Sequence, residues 1–271
     1  MRLVASDLAC IRGGREVFSG LSFTLPAGHA LLVTGPNGAG KSSLLRLVAG
    51  LLQPAGGRLA LEGGDPELSI GEQAHYLGHQ DAVKPSLSVQ ENLDFWTRFL
   101  GGAGEAVEPA LAAVGLAGIS HLPAGYLSAG QRRRLSIGRL IAVKRPLWLL
   151  DEPTSALDAA AQATLAVLMA QHLAGGGMIL AATHGPIGLE GAEELRLDPR
   201  HSPLVQRTPS PLVGEGCGGG LTANSEFAAP TPDPSLPQVG PARLAHDKGQ
   251  PGQARVAWGR EPTRPSSQGK P

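Results

Sequence analysis

Residues 35–43 read GPNGAGKSS, and the spacing of their glycines, lysine and serines states a chemistry. In Gly35-Pro36-Asn37-Gly38-Ala39-Gly40-Lys41-Ser42 the glycines let the backbone turn tightly, so that successive amide N–H groups face one point. A helix starting there adds unsatisfied donors and a partial positive charge, and the point attracts a phosphate. Lys41 would reach the β- and γ-phosphates of a nucleotide, and the Ser42 hydroxyl, with Ser43 beside it, would sit on Mg²⁺. A flexible glycine turn is the competing reading; the flanking strand and helix argue against it.

A second group of chemical residues lies in RPLWLLDEPTSALD, residues 145–158. Apolar positions 147–150 predict a central strand that delivers Asp151 and Glu152 at its carboxyl end, where open α/β sheets place their ligands. Asp151 is the metal-side carboxylate of this reading. Glu152, one residue on, points differently and is the candidate base that polarises a water toward the γ-phosphate. His184 ends the neighbouring strand GMILAATH and could hydrogen-bond a γ-phosphate oxygen. Gln80, in HYLGHQDAVKP, carries an amide able to touch both metal and water; His75 and His79 beside it show no metal-ligand spacing and read as loop residues. In LSAGQRRRL, residues 127–135, Ser128 and the amides around Gly130 open a helix and form a second anion site. The arginines 132–134 read as a solvated helix face, with Leu135, Gly138, Ile141 and Ala142 turned to the core.

These groups need a frame. LSFTL at 21–25 alternates like a half-buried strand, and HALLVT runs as a buried strand straight into the glycine loop. Leu44, Leu45, Val48 and Leu51 then recur at helical spacing. LDAAAQATLAVLMAQHL is helical between the two later strands, and strands alternating with helices imply a largely parallel sheet covered by helices. Residues 81 to about 145 read as a mainly helical insert.

The order GPNGAGKSS, Gln80, LSAGQ, LLDEP, SALD and TH resembles the ATP-binding subunits of ABC transporters over residues 1 to about 198. The resemblance implies an α/β P-loop NTPase core with an antiparallel β subdomain and a helical subdomain. It also implies an ATP- and Mg²⁺-dependent ATPase in which Ser42, Gln80 and Asp151 serve the metal. In that family two cassettes meet head to tail, so Leu127, Ser128, Ala129, Gly130 and Gln131 would cap the ATP held by the other copy of a homodimer. Ser155 and Asp158 would form the loop that communicates between the two ATP sites. Members usually stack an N-terminal aromatic on adenine; LACIRGGREVF offers Arg12 instead, whose planar guanidinium could take that place. SVQENLDFW, YLGHQ and LSAGQRRRLSIGRL are similar to the branch that serves bacterial cytochrome c biogenesis, the haem exporters. That implies a multi-spanning membrane permease as partner and a peripheral place on the cytoplasmic face of the inner membrane, with segment 84–96 passing motion to the partner. An ATPase of another small-molecule transporter is the alternative, followed by a non-transport ABC ATPase.

The totals agree. The chain has 271 residues, 42% of them apolar, enough for a sizeable core. With 23 basic and 23 acidic residues, no overall basic footprint for nucleic acid exists. Cys10 and Cys217 have no paired spacing and fit a reducing compartment. The domain is expected to span 1–200. Residues 201–271 hold 12 of the 23 prolines and few large apolar side chains, which predicts a disordered tail.

Overall fold

The computed structural model describes residues 1–102 and 104–198, and the backbone of 201–206. The chain opens with the strands β1 (Arg2–Arg12) and β2 (Arg15–Pro26), then enters β3 (Ala30–Thr34) and helix α1 (Lys41–Val48). Strands β4 (Gly56–Glu62) and β5 (Ala74–Leu77) follow. Three helices come next: α2 (Val89–Phe99), α3 (Val107–Ala113) and α4 (Ala129–Ala142). The chain then alternates β6 (Leu147–Asp151), α5 (Ala159–Ala174) and β7 (Met178–Ala182), and closes with β8 (Glu193–Asp198) and β9 (His201–Gln206).

Two sheets result. One is antiparallel, in the order β2-β1-β4; the other runs β5-β6-β7-β3-β8-β9, parallel from β5 through β8, with β9 antiparallel on its edge. The two-residue period of the central strands feeds two cores. Leu147 and Leu149 of β6, with Leu31 and Val33 of β3, join α1 and the antiparallel sheet. Trp148 and Leu150 of β6, with Ile179 of β7, face the layer built by α2–α5. Strands β6, β7 and β3 are adjacent, so the loops leaving their carboxyl ends converge: Asp151-Glu152, Thr183-His184 and the glycine cradle. No helix among the described residues is long and apolar enough to cross a membrane.

Four sequence expectations change here. Leu51 is off the helix face and 61% exposed, because Gly50 takes φ of +74° and the Leu51 N–H turns back to the Arg46 carbonyl, stopping α1. His75 is no loop residue: it pairs with Trp148 across β5 and β6 and is buried, with Nε2 2.7 Å from the Val143 carbonyl. Burial lowers its pKa to about 4 against the partial compensation of that bond. The domain boundary at 200 falls inside the sheet, since His201–Gln206 pair with β8. Pro203 hid that strand; a residue without an N–H is tolerated there because β9 is an edge. The fourth change concerns the arginine run and belongs to the site below. The proline-rich stretch beyond 206, Cys217 included, lies outside the described residues.

Candidate nucleotide site

Between β3 and α1 the cradle takes the conformation its glycines allow. Gly35, Gly38 and Gly40 have φ of +133°, +81° and +101°. At Gly35 a Cβ would lie 2.2 Å from the Leu197 carbonyl oxygen, and at Gly40 2.6 Å from a Val17 methyl, so neither position admits a side chain. Gly40 caps α1 without a side-chain bond, and the first turn holds no acidic residue, which leaves the helix's amino end to an anion. Lys41 is buried, and its Nζ donates to the carbonyls of Gly35 (2.8 Å) and Pro36 (3.2 Å), folded over the loop it serves. Burial pushes its pKa down, while the charges of Glu152 and Asp151 pull it back up.

A cavity of about 470 Å³ opens over this loop. Asn37, Gly38, Gly40, Lys41, Ser42 and Ser43 form one wall; Asp151, Glu152 and His184 form the other, with Arg12, Val17 and His79 also lining it. The Ser42 hydroxyl donates to Asp151 Oδ1 at 3.0 Å. Asp151 Oδ2 and Glu152 Oε1 are buried and have no hydrogen-bond partner among the described residues. Glu152 Oε1 lies 3.5 Å from His184 Nε2, an electrostatic neighbour beyond good hydrogen-bond length. Glu152 holds φ of +47°, a conformation costly for a side chain with a Cβ and typical of strained functional turns.

The other expected residues are placed as follows. Pro36 is exposed and Ala39 buried within the cradle. Gln80 is exposed and lines a different, larger cavity of about 810 Å³ against Tyr76, Trp96 and Arg139; that cavity has no phosphate cradle. Its neighbour His79 faces the nucleotide cavity, which the sequence did not reveal because a lone loop histidine carries no pattern. Leu127 is buried; Ser128 and Ala129 are exposed at the head of α4, and the stretch 127–131 contributes nothing to the lining of the 470 Å³ cavity. Ser128 and Gln131 form a reciprocal capping box: Gln131 N–H donates to Ser128 Oγ at 3.2 Å, and Ser128 N–H to Gln131 Oε1 at 2.8 Å. The Ser-x-x-Gln spacing of residues 128–131 is the sequence sign of this box. Helix geometry leaves the Ala129 and Gly130 amides without intrahelical acceptors. Gly130 lies against the next loop: a Cβ there would be 2.8 Å from the carbonyl oxygen of Ala156, itself at φ of +62°. Ser155 is exposed in that loop, and Asp158 caps α5 by accepting from the Ala161 N–H at 2.8 Å.

The arginine run is not a solvated face. Arg133 is 2% exposed, with its guanidinium bound to carbonyls of the Asp151–Pro153 turn and of Gly78. Arg132 donates to the Leu127 carbonyl and Arg134 to those of Val114 and Gly115. A run of charges reads as polar surface, whereas burial here depends on carbonyls supplied from distant segments.

A phosphate cradle at the end of a parallel strand, with two carboxylates presented by the next strand but one, defines a P-loop nucleotide-binding ATPase. A family model described as ABC transporter matches residues 18–155, and the chain belongs to that family as an ATP-hydrolysing transporter subunit. The cytochrome c biogenesis ATP-binding export protein CcmA of Nitrobacter winogradskyi is 66% identical over 197 residues, covering 73% of this chain and 98% of the relative. The protein of the same description from Bradyrhizobium diazoefficiens is 59% identical over 197 residues, with coverage of 73% and 98%. That of Brucella abortus is 55% identical over 192 residues, with coverage of 71% and 89%. A solved ATP-binding subunit of an ABC transporter superposes with a TM-score of 0.67 at 24% identity, covering 73% of this chain and 87% of that one, and shows the shared fold.

Proposed function

We propose that this chain is the ATPase of a cytochrome c biogenesis export system of the CcmA type, acting as a homodimer on a CcmB-like multi-spanning permease at the cytoplasmic face of the inner membrane. The observation that carries the catalytic part is the pair of buried carboxylate oxygens, Asp151 Oδ2 and Glu152 Oε1, left unspent beside a phosphate cradle. An unpartnered buried carboxylate is costly, and its retention at a phosphate site fits a working role. The relatives described above support the system.

In this reading the cradle amides and Lys41 Nζ hold the β- and γ-phosphates of ATP, the lysine exchanging the Gly35 and Pro36 carbonyls for phosphate oxygens. Ser42 and Asp151 are hard oxygen donors 3.0 Å apart and fit Mg²⁺, with Gln80 reaching in when the subunit closes. The ion, once bound, would neutralise charge on the phosphate oxygens. Glu152 takes the proton of the attacking water as its oxygen bonds to the γ-phosphorus and the bond to the β,γ-bridging oxygen breaks. His184 hydrogen-bonds a γ-phosphate oxygen, and Arg12 stacks on the adenine. The exposed Ser128 and the free amides of Ala129 and Gly130, outside the chain's own cavity, support a role on the nucleotide of a second copy. Ser155 and Asp158, in the loop packed on Gly130, are suited to link the two sites.

The test is deletion of the gene, haem staining of periplasmic c-type cytochromes, and rescue with the intact chain or with Glu152→Gln. Rescue by the first and failure of the second is the expected result; normal cytochromes in the deletion strain would overturn the reading. A version ending at residue 206 shows in the same assay whether the proline-rich stretch has a role.

A further inference from the structure

We propose that Arg133 is a positioning residue for ATP hydrolysis, clamping the turn that carries Glu152 to the loop that carries Gln80. The inference rests on Glu152 as the base. A guanidinium has five N–H donors, and the structure gives all five an acceptor. Nη2 donates to the carbonyls of Asp151 at 2.9 Å and Glu152 at 2.7 Å, and Nε reaches that of Pro153 at 3.4 Å. Nη1 donates to the Gly78 carbonyl at 2.8 Å and to Asp81 Oδ1 at 3.2 Å. The two sets of acceptors flank Glu152 on one side and Gln80 on the other.

Burying a charge of this size is unfavourable unless each donor is matched. Four of the five acceptors are main-chain carbonyls, so what Arg133 holds is backbone geometry. The peptide at Glu152 is gripped at both ends: its N–H donates to the Ala182 carbonyl at 2.9 Å, and its carbonyl accepts from Arg133. Neither bond uses the carboxylate. Glu152 is therefore held at its unfavourable φ of +47° with Oε1 free for chemistry. The Gln80 segment is fixed from the same helix, since Ser136 Oγ, one turn beyond Arg133, donates to the Asp81 carbonyl at 2.6 Å. Lysine could keep the charge but cannot span two loops with a planar fork.

The experiment measures phosphate release by the full chain co-purified with its membrane partner, for Arg133→Lys, Arg133→Gln, Asp81→Ala, Glu152→Gln and the double variant Arg133→Lys/Glu152→Gln. Both Arg133 variants should lose roughly 10- to 100-fold in kcat with KM for ATP moving less than about threefold, after correction for the folded fraction by circular dichroism. On the Glu152→Gln background, Arg133→Lys should cost less than about threefold, because two residues acting through one group are not additive. An equal fractional loss in both backgrounds, or a loss accounted for by the unfolded fraction, would overturn the proposal. If neither Arg133 variant folds, Asp81→Ala decides: it removes one of the five bonds at a partly exposed partner and should lower kcat a few-fold at unchanged KM, and unchanged kcat leaves Arg133 a purely structural residue. Lost turnover in Glu152→Gln with none lost in Arg133→Lys removes this proposal alone. Near-normal turnover in Glu152→Gln removes the base and this proposal with it.

Discussion

Helices α1 and α4 both begin beside a glycine with amide donors that no intrahelical acceptor can satisfy, yet their surroundings are opposite. The head of α1 is enclosed by its own chain: Lys41 lies over it, Asp151 and Glu152 face it, and a cavity of about 470 Å³ stands ready for a ligand. The head of α4 has a complete capping box and one loop packed on Gly130, with Ser128 and Ala129 open to solvent. The first site contains charges to bind and to react. The second offers hydrogen-bond donors alone, so it can grip a phosphate but has no group to activate a water. In the function proposed above, chemistry is assigned to the first, and contact with the nucleotide of a second copy to the second.

That contrast can be broken most sharply at Glu152. Glu152→Gln should keep ATP binding and lose roughly 10²- to 10⁴-fold in turnover, the span of a lost general base, with a closed dimer accumulating on size-exclusion chromatography in ATP. Unchanged turnover would move the chemistry away from the enclosed end.

Next in size is an effect that should spare both ends. His75 is held neutral, with a pKa lowered to about 4 by burial, whereas the unfolded chain takes up that proton near 6.5. The folded state keeps this stability above pH 6.5 and loses it as pH falls toward 4, on the order of 3 kcal/mol in all. Denaturant midpoints against pH should show His75→Gln with a flatter decline than the parent over that window; parallel curves would mean that His75 is not the group responsible.

Lys41→Ala should weaken ATP binding by about 10- to 100-fold, the worth of a charge-assisted bond, as read by fluorescent-nucleotide titration. Ser128→Ala should have the smallest effect on the isolated chain: about 1 kcal/mol of stability from the lost cap, and no change in ATP affinity. Its turnover in the assembled transporter should nevertheless fall. A loss of ATP affinity in the isolated Ser128→Ala chain would erase the distinction between the two helix ends.

Much of this was legible in residue order because the relevant physics is local. The glycines of GPNGAGKS set backbone angles over eight consecutive residues, the strand and helix periods on either side place the loop, and LLDE delivers its carboxylates from a strand's own end. The edge strand His201–Gln206 is masked in the sequence by its proline, and the apolar spacing of α1 continues past Gly50 to Leu51 although the helix does not. Arg133, His79 and His75 had no local sign to give. Arg133 meets acceptors 18 to 55 residues away, and His75 meets a backbone carbonyl 68 residues on.

The sequence by itself determined that this chain holds a glycine loop between a strand and a helix, a pair of carboxylates at the end of a parallel strand and a second helix head opened by a serine, since each is encoded in neighbouring residues. Only the tertiary structure decided which charges are buried, which donors are spent and which carboxylate oxygens stay free. The reason is that desolvation and hydrogen-bond satisfaction depend on what the fold brings to hydrogen-bond distance, and those partners arrive from segments far apart in sequence that the sheet order makes neighbours.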